Sequence, residues 1–399
     1  MIQSLKKIRI NTQFVVFVLL AAFSFSQCTT VPEKAKEPHV SQETADKLGI
    51  TNTDHLSAAT LRALQWPDIG NEWYIEFGEH KPLLGDLAYE PGVVRRDPSA
   101  VIKVGEKYYV WYSKSTGETT GFEADVINGK VFPWDRCDIW YATSTDGWTW
   151  KEEGIAVKRG EPGAYDDRSV FTVEIMYHEG KYYLCYQTVK HPYYKRVQNT
   201  VGMAWSSSPN GPWAKTPEPV LKPADNGEWE GDSDDRFMVK KKGDFDSHKV
   251  HDPCIIPFKG KFYLYYKGEQ MGEEITFGGR QIRHGVAIAD NPLGPYTKSL
   301  YNPISNSGHE ICVWPYKEGI ASLITTDGPE RNTIQWSPDG INFEIMGAIK
   351  GAPHAIGLNR ELTSDEDPVA IMKWGLTHVY NNWHEQSILR FDSRKPNRN

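Results

Sequence analysis

Aromatic and β-branched residues cluster in short apolar runs that recur along the chain. Three of these runs open with a turn that contains glycine and lysine, and they cover residues 105–112, 180–186 and 260–266. Their aligned aromatic residues, Tyr108, Tyr182 and Phe262, are 74 and 80 residues apart. Such a period is too long for a solenoid and indicates one multi-stranded sheet with its loops in each repeat.

A second pattern recurs between these runs and predicts hairpins. In each copy a strand leads into a turn of Asp-Gly, Asn-Gly or Gly-Pro type, and an aromatic residue opens the return strand. The copies cover residues 142–148, 204–213, 287–296 and 335–343. With a weaker last segment at residues 352–391, they predict an all-β fold, a five-bladed β-propeller.

Composition agrees with this prediction and narrows the choice of partners. The 399 residues include 14 Trp, 20 Tyr and 15 Phe for a large core, and 34 Gly and 25 Pro for many turns. The 45 basic and 52 acidic residues are mixed along the chain and give a net charge of −7. Because there is no basic stripe, we expect no nucleic-acid partner.

The first 28 residues have the pattern of an export signal. Basic residues precede an apolar run at residues 14–25, which is too short for a lasting membrane helix. Residues 26–28 (SQC) resemble the end of a bacterial lipoprotein signal, which would place a lipid anchor on Cys28; because Gln27 is not the usual small residue, simple cleavage is the alternative. We expect an exported protein, periplasmic or an outer-membrane lipoprotein of a Gram-negative bacterium, with residues 29–40 as a tether.

A short helical segment is predicted at residues 41–65, ahead of a propeller domain at residues 66–399. Ser41 and Ser57 suit the N-caps of two helices, and Gly49 can end the first, which gives a helix-turn-helix shape. Two helices this short cannot bury their own apolar face, so we expect them to pack on the propeller or on a neighbouring subunit. Export argues against DNA binding.

Clusters that contain a carboxylate precede the repeated strands, at residues 96–98, 166–168, 251–253 and 309–310. Acids delivered once per repeat to one end of a propeller suit the cleavage of a glycosidic bond, because one ionised group must activate water while a protonated group gives its proton to the leaving oxygen. Asp167 takes this position in the second repeat, although Asp167 and Arg168 could equally form a structural ion pair. The predicted catalytic residues are Asp97, Asp252, His309 and Glu310.

Candidate substrate contacts adjoin these clusters. Sugar clefts need aromatic platforms and bidentate donors, and the nearby residues of these kinds are Trp134, Arg136, Arg168, His251 and Lys267. Glu174 is a charge inside an apolar strand, so it is either paired in the core or directed into the central cavity, and we favour the cavity as a substrate contact. His378 in the last repeat could face the central channel.

At these residues the chain resembles a known group of enzymes. Asp97, Asp252 and Glu310 look like the acids of the propeller glycosidases that include families 43 and 32. The resemblance to glycoside hydrolase family 117 is closer, and it covers residues 41–392. It is carried by the helical motif SxAxxR at residues 57–62 and by residues 95–99 (RRDPS), 167–175 (DRSVFTVEI), 250–253 (VHDP) and 308–310 (GHE).

The resemblance implies an activity and a role for each acid. The family consists of inverting α-1,3-(3,6-anhydro)-L-galactosidases that act on the non-reducing end of neoagaro-oligosaccharides from agar. Asp97 would be the general base, and Asp252 the acid that tunes pKa values and binds sugar. The proton donor would be Glu310 by the pattern of the wider clan, or His309 by that of the family, with Glu310 gripping substrate. An inverting reaction requires base and acid roughly 6.5–9.5 Å apart.

The resemblance also implies partners. The helical motif supports a homodimer made by exchange of the N-terminal helices. No cofactor is required for the chemistry, but the wider clan often holds a structural divalent cation in the propeller channel, and His378 is the candidate to lie near one.

Two other functions use the same residues. An arabinofuranosidase or xylosidase of the propeller type would have the same acids, although the helical motif and His309 argue against it. A non-catalytic surface propeller that binds glycans is the second alternative.

Overall fold

The regular secondary structure of the described residues is almost entirely β-strand, and most of the strand pairs are antiparallel. The structure is a computed structural model that describes residues 71–395 apart from 123–124, 274, 277–278 and 281. The chain divides into two units, Met1–Leu64 and Gln65–Asn399, and all described residues belong to the second. The predicted signal peptide (1–28), tether (29–40) and helical segment (41–65) therefore lie outside the described residues.

The first large sheet is built from strands that surround the first aromatic run. Its order is β3-β8-β7-β6-β4, and β5 also pairs with β6. The strands up to this point are β1 (Glu76–Phe77), β2 (Lys81–Pro82), β3 (Leu84–Gly85), β4 (Val93–Arg96), β5 (Ile102–Val104), β6 (Lys107–Thr116), β7 (Asp138–Ser144) and β8 (Thr149–Val157).

The second and third repeats are joined in one eight-stranded sheet. Their strands are β9 (Ser169–His178), β10 (Lys181–Val189), β11 (Asn199–Ser206), β12 (Ala214–Lys215), β13 (Glu228–Trp229), β14 (Val239–Lys241), β15 (Lys249–Phe258), β16 (Lys261–Glu269), β17 (Ile275–Thr276), β18 (Gly279–Arg280), β19 (Arg283–Ala289) and β20 (Thr297–Lys298). Two antiparallel groups, β9-β10-β11-β12 and β15-β16-β19-β20, meet through one parallel pair, Asn199 with Lys249. Strands β13-β14 and β17-β18 form separate two-stranded ribbons.

The last two groups of strands form two further sheets, and the second of these also contains strands from the start of the described chain. Strands β21 (Cys312–Tyr316), β22 (Gly319–Ile324), β23 (Thr333–Ser337) and β24 (Glu344–Ala348) form one sheet. Strands β25 (Ile356–Leu358), β26 (Trp374–Tyr380) and β27 (Gln386–Arg394) form the other, with short 3₁₀ helices at Arg360–Leu362 and Ala370–Met372. Strands β1 and β2 both pair with β27, so the beginning of the described chain supplies strands to the last sheet.

The aromatic runs predicted from sequence form the buried second strand of their groups, β6, β10 and β16. In β10, alternate residues enter different cores: Tyr182 and Leu184 pack in the cluster of Trp111, whereas Tyr183 and Cys185 pack in another. Both faces of β10 are therefore covered by neighbouring groups of strands. This explains why the run is apolar throughout instead of alternating.

The turns that open these strands are two-residue hairpin turns. Glu179 and Gly180 have φ angles of 46° and 77°, and Lys259 and Gly260 have 48° and 72°. Two successive positive φ angles are typical of the type I′ turn, which matches the twist of the strands it joins. Glycine at the second position meets this demand without steric cost.

A narrow cavity of about 30 Å³ marks the centre of the fold. Residues from all five groups line it, namely Asp97, Pro98, Thr172, Val173, Glu174, Asp252, Pro253, Glu310, Ile311, Cys312, Ala355 and Ile356. The groups therefore surround one channel, and the predicted all-β propeller architecture is confirmed. The count of five blades stays a prediction, because strand pairing joins two of the groups in one sheet. No described helix is long and apolar enough to cross a membrane.

An ion pair occupies the channel wall. Arg360 donates to Glu174 Oε1 at 3.3 Å and to the carbonyl of Val313 at 3.2 Å. The Glu174 carboxylate also accepts the backbone N–H groups of Ala100, at 3.2 Å, and Ile175, at 3.0 Å. Glu174 is thus both paired and directed into the channel, and Arg360 places a fixed positive charge there.

We expect Arg360→Met to lower the free energy of unfolding by about 3 kcal/mol, because removal of one partner leaves a largely buried carboxylate uncompensated. Urea denaturation measures this value. The matched control is Lys261→Met, which breaks an exposed pair with Asp290 (2.6 Å; side chains 51% and 86% exposed) and should change stability little. Equal effects of the two substitutions would contradict a stabilising role for the channel pair.

Candidate active site

A larger cavity of about 480 Å³ adjoins the channel. Thr172, Asp252 and Glu310 line both spaces, so the two spaces meet at these residues. Its other lining residues are Arg96, Phe122, Phe132, Trp134, Phe171, Gln187, Tyr193, Lys195, Asn199, Asp235, Arg236, Phe237, Lys249, His251, Lys267, Glu269, His309 and Tyr380. Its size and its mixture of aromatic and charged side chains suit a small polar ligand.

One residue in each of the first three repeats has the same unusual backbone conformation. Asp97, Thr172 and Asp252 have φ angles of 48°, 46° and 48°. The pairing register shifts beside Thr172 and beside Asp252, as it does at a β-bulge. Bulges redirect side chains next to active sites. The positive φ values therefore mark equivalent positions.

This equivalence corrects one sequence assignment. Thr172, and not Asp167, is the counterpart of Asp97 and Asp252 in the second repeat. The sequence held the signal: Thr172 lies ten residues before Tyr182, as Asp252 lies ten before Phe262. Asp167 instead accepts backbone N–H groups of the loops, from Gly163 at 2.7 Å and from His191 at 2.7 Å.

Asp97 is held by cations and hydroxyls from several elements. Arg96 donates to it twice, with Nε 2.6 Å from Oδ2 and Nη2 2.9 Å from Oδ1. Thr172 Oγ1 lies 3.1 Å from Oδ2, and His378 Nδ1 lies 3.2 Å from Oδ1. Burial alone would raise the pKa of Asp97, but Arg96 and His378 outweigh it and hold this pKa well below its ordinary value. Asp97 is therefore ionised at any working pH.

Asp252 pairs with Lys267 and adjoins the His309–Glu310 pair. Its Oδ2 contacts the Lys267 ammonium and lies 3.8 Å from His309 Nδ1. Burial and the nearby Glu310 carboxylate raise the pKa of Asp252 despite Lys267. Asp252 thus differs from Asp97 and carries a proton more readily.

His309 Nδ1 lies 2.8 Å from Glu310 Oε2. Burial would raise the pKa of Glu310, but His309 outweighs it and lowers this pKa to about 2. The side chain of His309 is 29% exposed, against 12% for Glu310, 6% for Asp252 and 3% for Asp97. Of the four predicted catalytic residues, His309 is therefore the most accessible.

Asp252, His309 and Glu310 form the one group of described residues with three potential metal ligands close together, within 4.8 Å of one another. The Lys267 ammonium already contacts Asp252, and it lies 3.4 Å from His309 Nδ1. This fixed positive charge opposes a cation at the same place. The cluster fits proton transfer better than metal binding.

His378 lies beside Asp97. It projects from β26, is buried, and places Nδ1 3.1 Å from the backbone nitrogen of Asp97 and 3.2 Å from its carboxylate. One ring nitrogen is thus engaged by Asp97, and no group of three metal ligands among the described residues includes His378. A cation near His378 stays a prediction.

Three of the predicted substrate contacts line the larger cavity: Trp134, His251 and Lys267. The Trp134 ring lies 4.8 Å below the Arg96 guanidinium, and its Nε1 donates to the hydroxyl of Tyr193 at 2.9 Å. Trp134 therefore also supports the arginine that holds Asp97.

Three others lie outside that lining. Arg168 pairs with Asp135, with Nε–Oδ1 at 2.7 Å and Nη2–Oδ2 at 2.6 Å, and it donates to the carbonyls of Ile127 and Gly129. Arg136 donates to the carbonyl of the same Ile127, at 3.1 Å. Both arginines fasten the loop that carries Trp134, and Glu174 lines the channel with Arg360. The ion pair anticipated for Arg168 exists, but with Asp135 and not with Asp167.

Sequence reasoning missed several cavity residues, notably Arg96 as the partner of Asp97, and Arg236, Phe237 and Tyr380 at the wall. Arg96 was detectable, because it stands directly before the first acid. The other three belong to segments that do not repeat, so no alignment within the chain could mark them.

The chain is similar in sequence and in fold to known glycoside hydrolases. A family model described as "Glycosyl hydrolases family 43" matches residues 92–230. A solved structure described as "Zg3597, a family 117 glycoside hydrolase, produced by the marine bacterium Zobellia galactanivorans" is 36% identical in sequence. The match covers 82% of this chain and 92% of that one, with a TM-score of 0.65. Comparison with curated proteins gave no match.

More distant structures share the fold alone. One described as "Glycoside hydrolase" is 13% identical, with coverage of 81% of this chain and 93% of that chain and a TM-score of 0.55. CoXyl43, a GH43 β-xylosidase/α-arabinofuranosidase from a compost microbial metagenome, is 15% identical, with coverage of 79% and 94% and a TM-score of 0.50.

The lowered pKa of Asp97 predicts a dependence of stability on pH. A carboxyl group whose pKa falls on folding stabilises the protein above its ordinary pKa, here 3.8, and this contribution is lost as the pH falls below that value. We expect the difference in free energy of unfolding between wild type and Asp97→Asn to be larger at pH 6 than at pH 3. Urea denaturation at both values measures it, and a constant difference would contradict the assignment.

Proposed function

The chain belongs to glycoside hydrolase family 117, and on this premise we propose that it releases 3,6-anhydro-L-galactose from the non-reducing end of neoagaro-oligosaccharides with inversion. That it is a propeller glycosidase follows from family membership, whereas the substrate is the proposal. The observation that carries it is the cluster of Asp252, His309, Glu310 and Lys267 at the meeting of the two cavities. Two of the predicted catalytic acids, Asp252 and Glu310, thus lie beside the histidine that precedes Glu310.

Asp97 is the proposed general base. The channel cavity of about 30 Å³ that it lines exceeds the roughly 10–15 Å³ that one water needs. A water there would lie next to the ionised Asp97 carboxylate, which orients it and accepts its proton during attack. Arg96, Thr172 and His378 hold the carboxylate in place for this role.

His309 is the proposed proton donor. Glu310, with a pKa of about 2, carries no proton at neutral pH and cannot donate one. Instead, the Glu310 carboxylate lies 2.8 Å from Nδ1 of His309, where it can accept a hydrogen bond and fix the orientation of the ring. The other ring nitrogen, Nε2, is then free to protonate the leaving oxygen. Asp252, paired with Lys267, remains available to bind the sugar.

Location and assembly are proposals of the same kind. We propose an exported lipoprotein anchored at Cys28, and a homodimer through exchange of residues 41–65. Both segments lie outside the described residues, and the sequence motifs alone support them.

The reaction is tested by incubating the purified protein with neoagarobiose. We expect wild type to release 3,6-anhydro-L-galactose and galactose, and Asp97→Asn to lose roughly 10²–10⁴-fold in kcat, because water attack loses its base. Chromatography of the products measures release. The matched control is Asp166→Asn, which alters another buried, ion-paired acid (2.6 Å from Lys215) outside both cavities and should keep its activity.

No release by wild type would reject this substrate. The same protein would then be screened on aryl arabinofuranosides and xylosides, the substrates of the nearest alternative.

The proton donor is tested with leaving groups of different pKa. His309→Gln should lose roughly 10²–10⁴-fold on neoagarobiose, and should recover most of its rate on an aryl 3,6-anhydro-α-L-galactoside, whose leaving group needs no proton. Asp97→Asn should stay slow on both substrates, because both need activated water. Recovery by Glu310→Gln but not by His309→Gln would make Glu310 the acid.

A further inference from the structure

One arginine side chain, Arg196, makes hydrogen bonds to the loop between β13 and β14. Arg196 donates to four carbonyls at 2.9–3.1 Å, those of Glu230, Gly231, Asp235 and Met238. Its guanidinium lies 4.8 Å from the ring of Trp229 at the loop's entrance. Four bonds from one side chain hold this loop in a single conformation without regular secondary structure.

Further contacts fix the tip of this loop. Asp234 accepts the backbone N–H groups of Lys195 at 2.9 Å and of Arg196 at 3.0 Å. Arg236 reaches the buried Glu269 at 3.2 Å and places its guanidinium 5.0 Å from the ring of Phe237. The backbone N–H of Phe237 donates to Asp235 Oδ1 at 3.0 Å.

Phe237 is nevertheless 59% exposed, and it lines the cavity that also contains Asp252, His309 and Glu310. Single exposed apolar side chains are common on protein surfaces and mean little by themselves. Phe237 differs from these because a pre-organised loop presents its ring to the catalytic cavity. An aromatic ring held in this way costs little entropy when a ligand stacks on it.

The depth of the cavity decides which part of a substrate meets this ring. The side chains of Asp97 and Asp252 are 3% and 6% exposed, so the bond to be cleaved must reach the buried end. An enzyme that removes the terminal sugar buries that sugar there, and the remaining chain then extends toward the exposed rim. Phe237 is exposed and lines this cavity, so we place it beside the sugars on the leaving-group side of the cleaved bond.

We propose that Phe237 is the stacking platform of a leaving-group subsite for sugar units beyond the disaccharide. The inference rests on the proposed function, since it assumes an oligosaccharide cut at its non-reducing end. The apolar C–H face of a pyranose packs on an aromatic ring, and the neighbouring Arg236 and Asp235 supply polar groups at its edge. The subsite makes longer oligosaccharides better substrates than neoagarobiose.

The test compares neoagarobiose with neoagarotetraose. For wild type we expect kcat/KM to be at least fivefold higher on the tetrasaccharide, chiefly through a lower KM. Phe237→Ala should lose this advantage, so its kcat/KM should fall several-fold more on neoagarotetraose than on neoagarobiose. Phe237→Trp, which keeps a platform, should retain the advantage, and so should the control Tyr301→Ala, which removes a 72% exposed ring outside the cavity lining.

The outcomes separate the two proposals. Inactivity of wild type on both sugars would reject the proposed function. Activity without a length preference, an unchanged preference in Phe237→Ala, or an equal loss on both sugars would overturn the subsite and leave the proposed function standing.

Discussion

The site depends on the compensation of buried carboxylates by cations that stand beside them. Four acids, Asp97, Glu174, Asp252 and Glu310, line one narrow channel. Uncompensated burial of this many charges would be prohibitive. Each acid has its own partner, in the order Arg96, Arg360, Lys267 and His309. The cations thus allow the propeller to carry acids at its centre.

Different partners also separate the proton affinities of acids that lie close together. A bidentate guanidinium keeps Asp97 ionised, and His309 keeps Glu310 ionised, whereas burial beside Glu310 raises the pKa of Asp252. Acid–base catalysis requires environments that give neighbouring titratable groups different pKa values. A guanidinium at Asp97 and an imidazole at Glu310 therefore give the two ends of this acid cluster different chemistry.

The features that could be predicted from the sequence are those that recur in several repeats. Recurrent aromatic runs located β6, β10 and β16, and the acids before them located Asp97, Asp252 and the His309–Glu310 pair. Repetition also misled, because a search for acids chose Asp167 where the backbone places Thr172. Ion pairs between segments distant in sequence could not be predicted. Arg168 pairs with Asp135, and Glu174 pairs with Arg360, which lies 186 residues away. The loop that carries Phe237 occurs in one repeat alone, so no repeated pattern could mark Phe237 as a candidate site residue.

These distant partners couple the chemistry to closure of the fold. His378, from the second strand of the last sheet, contacts Asp97 across 281 residues of sequence, and Arg360 comes from the same end of the chain. That last sheet takes its outer strands β1 and β2 from the beginning of the described chain, where Glu76 pairs with Arg394. Asp97 therefore acquires His378, and Glu174 acquires Arg360, only when the two ends of the propeller meet. Long-range contacts of this kind form late, because loop-closure entropy must be overcome first. The catalytic arrangement is thus a property of the closed ring and not of any single repeat.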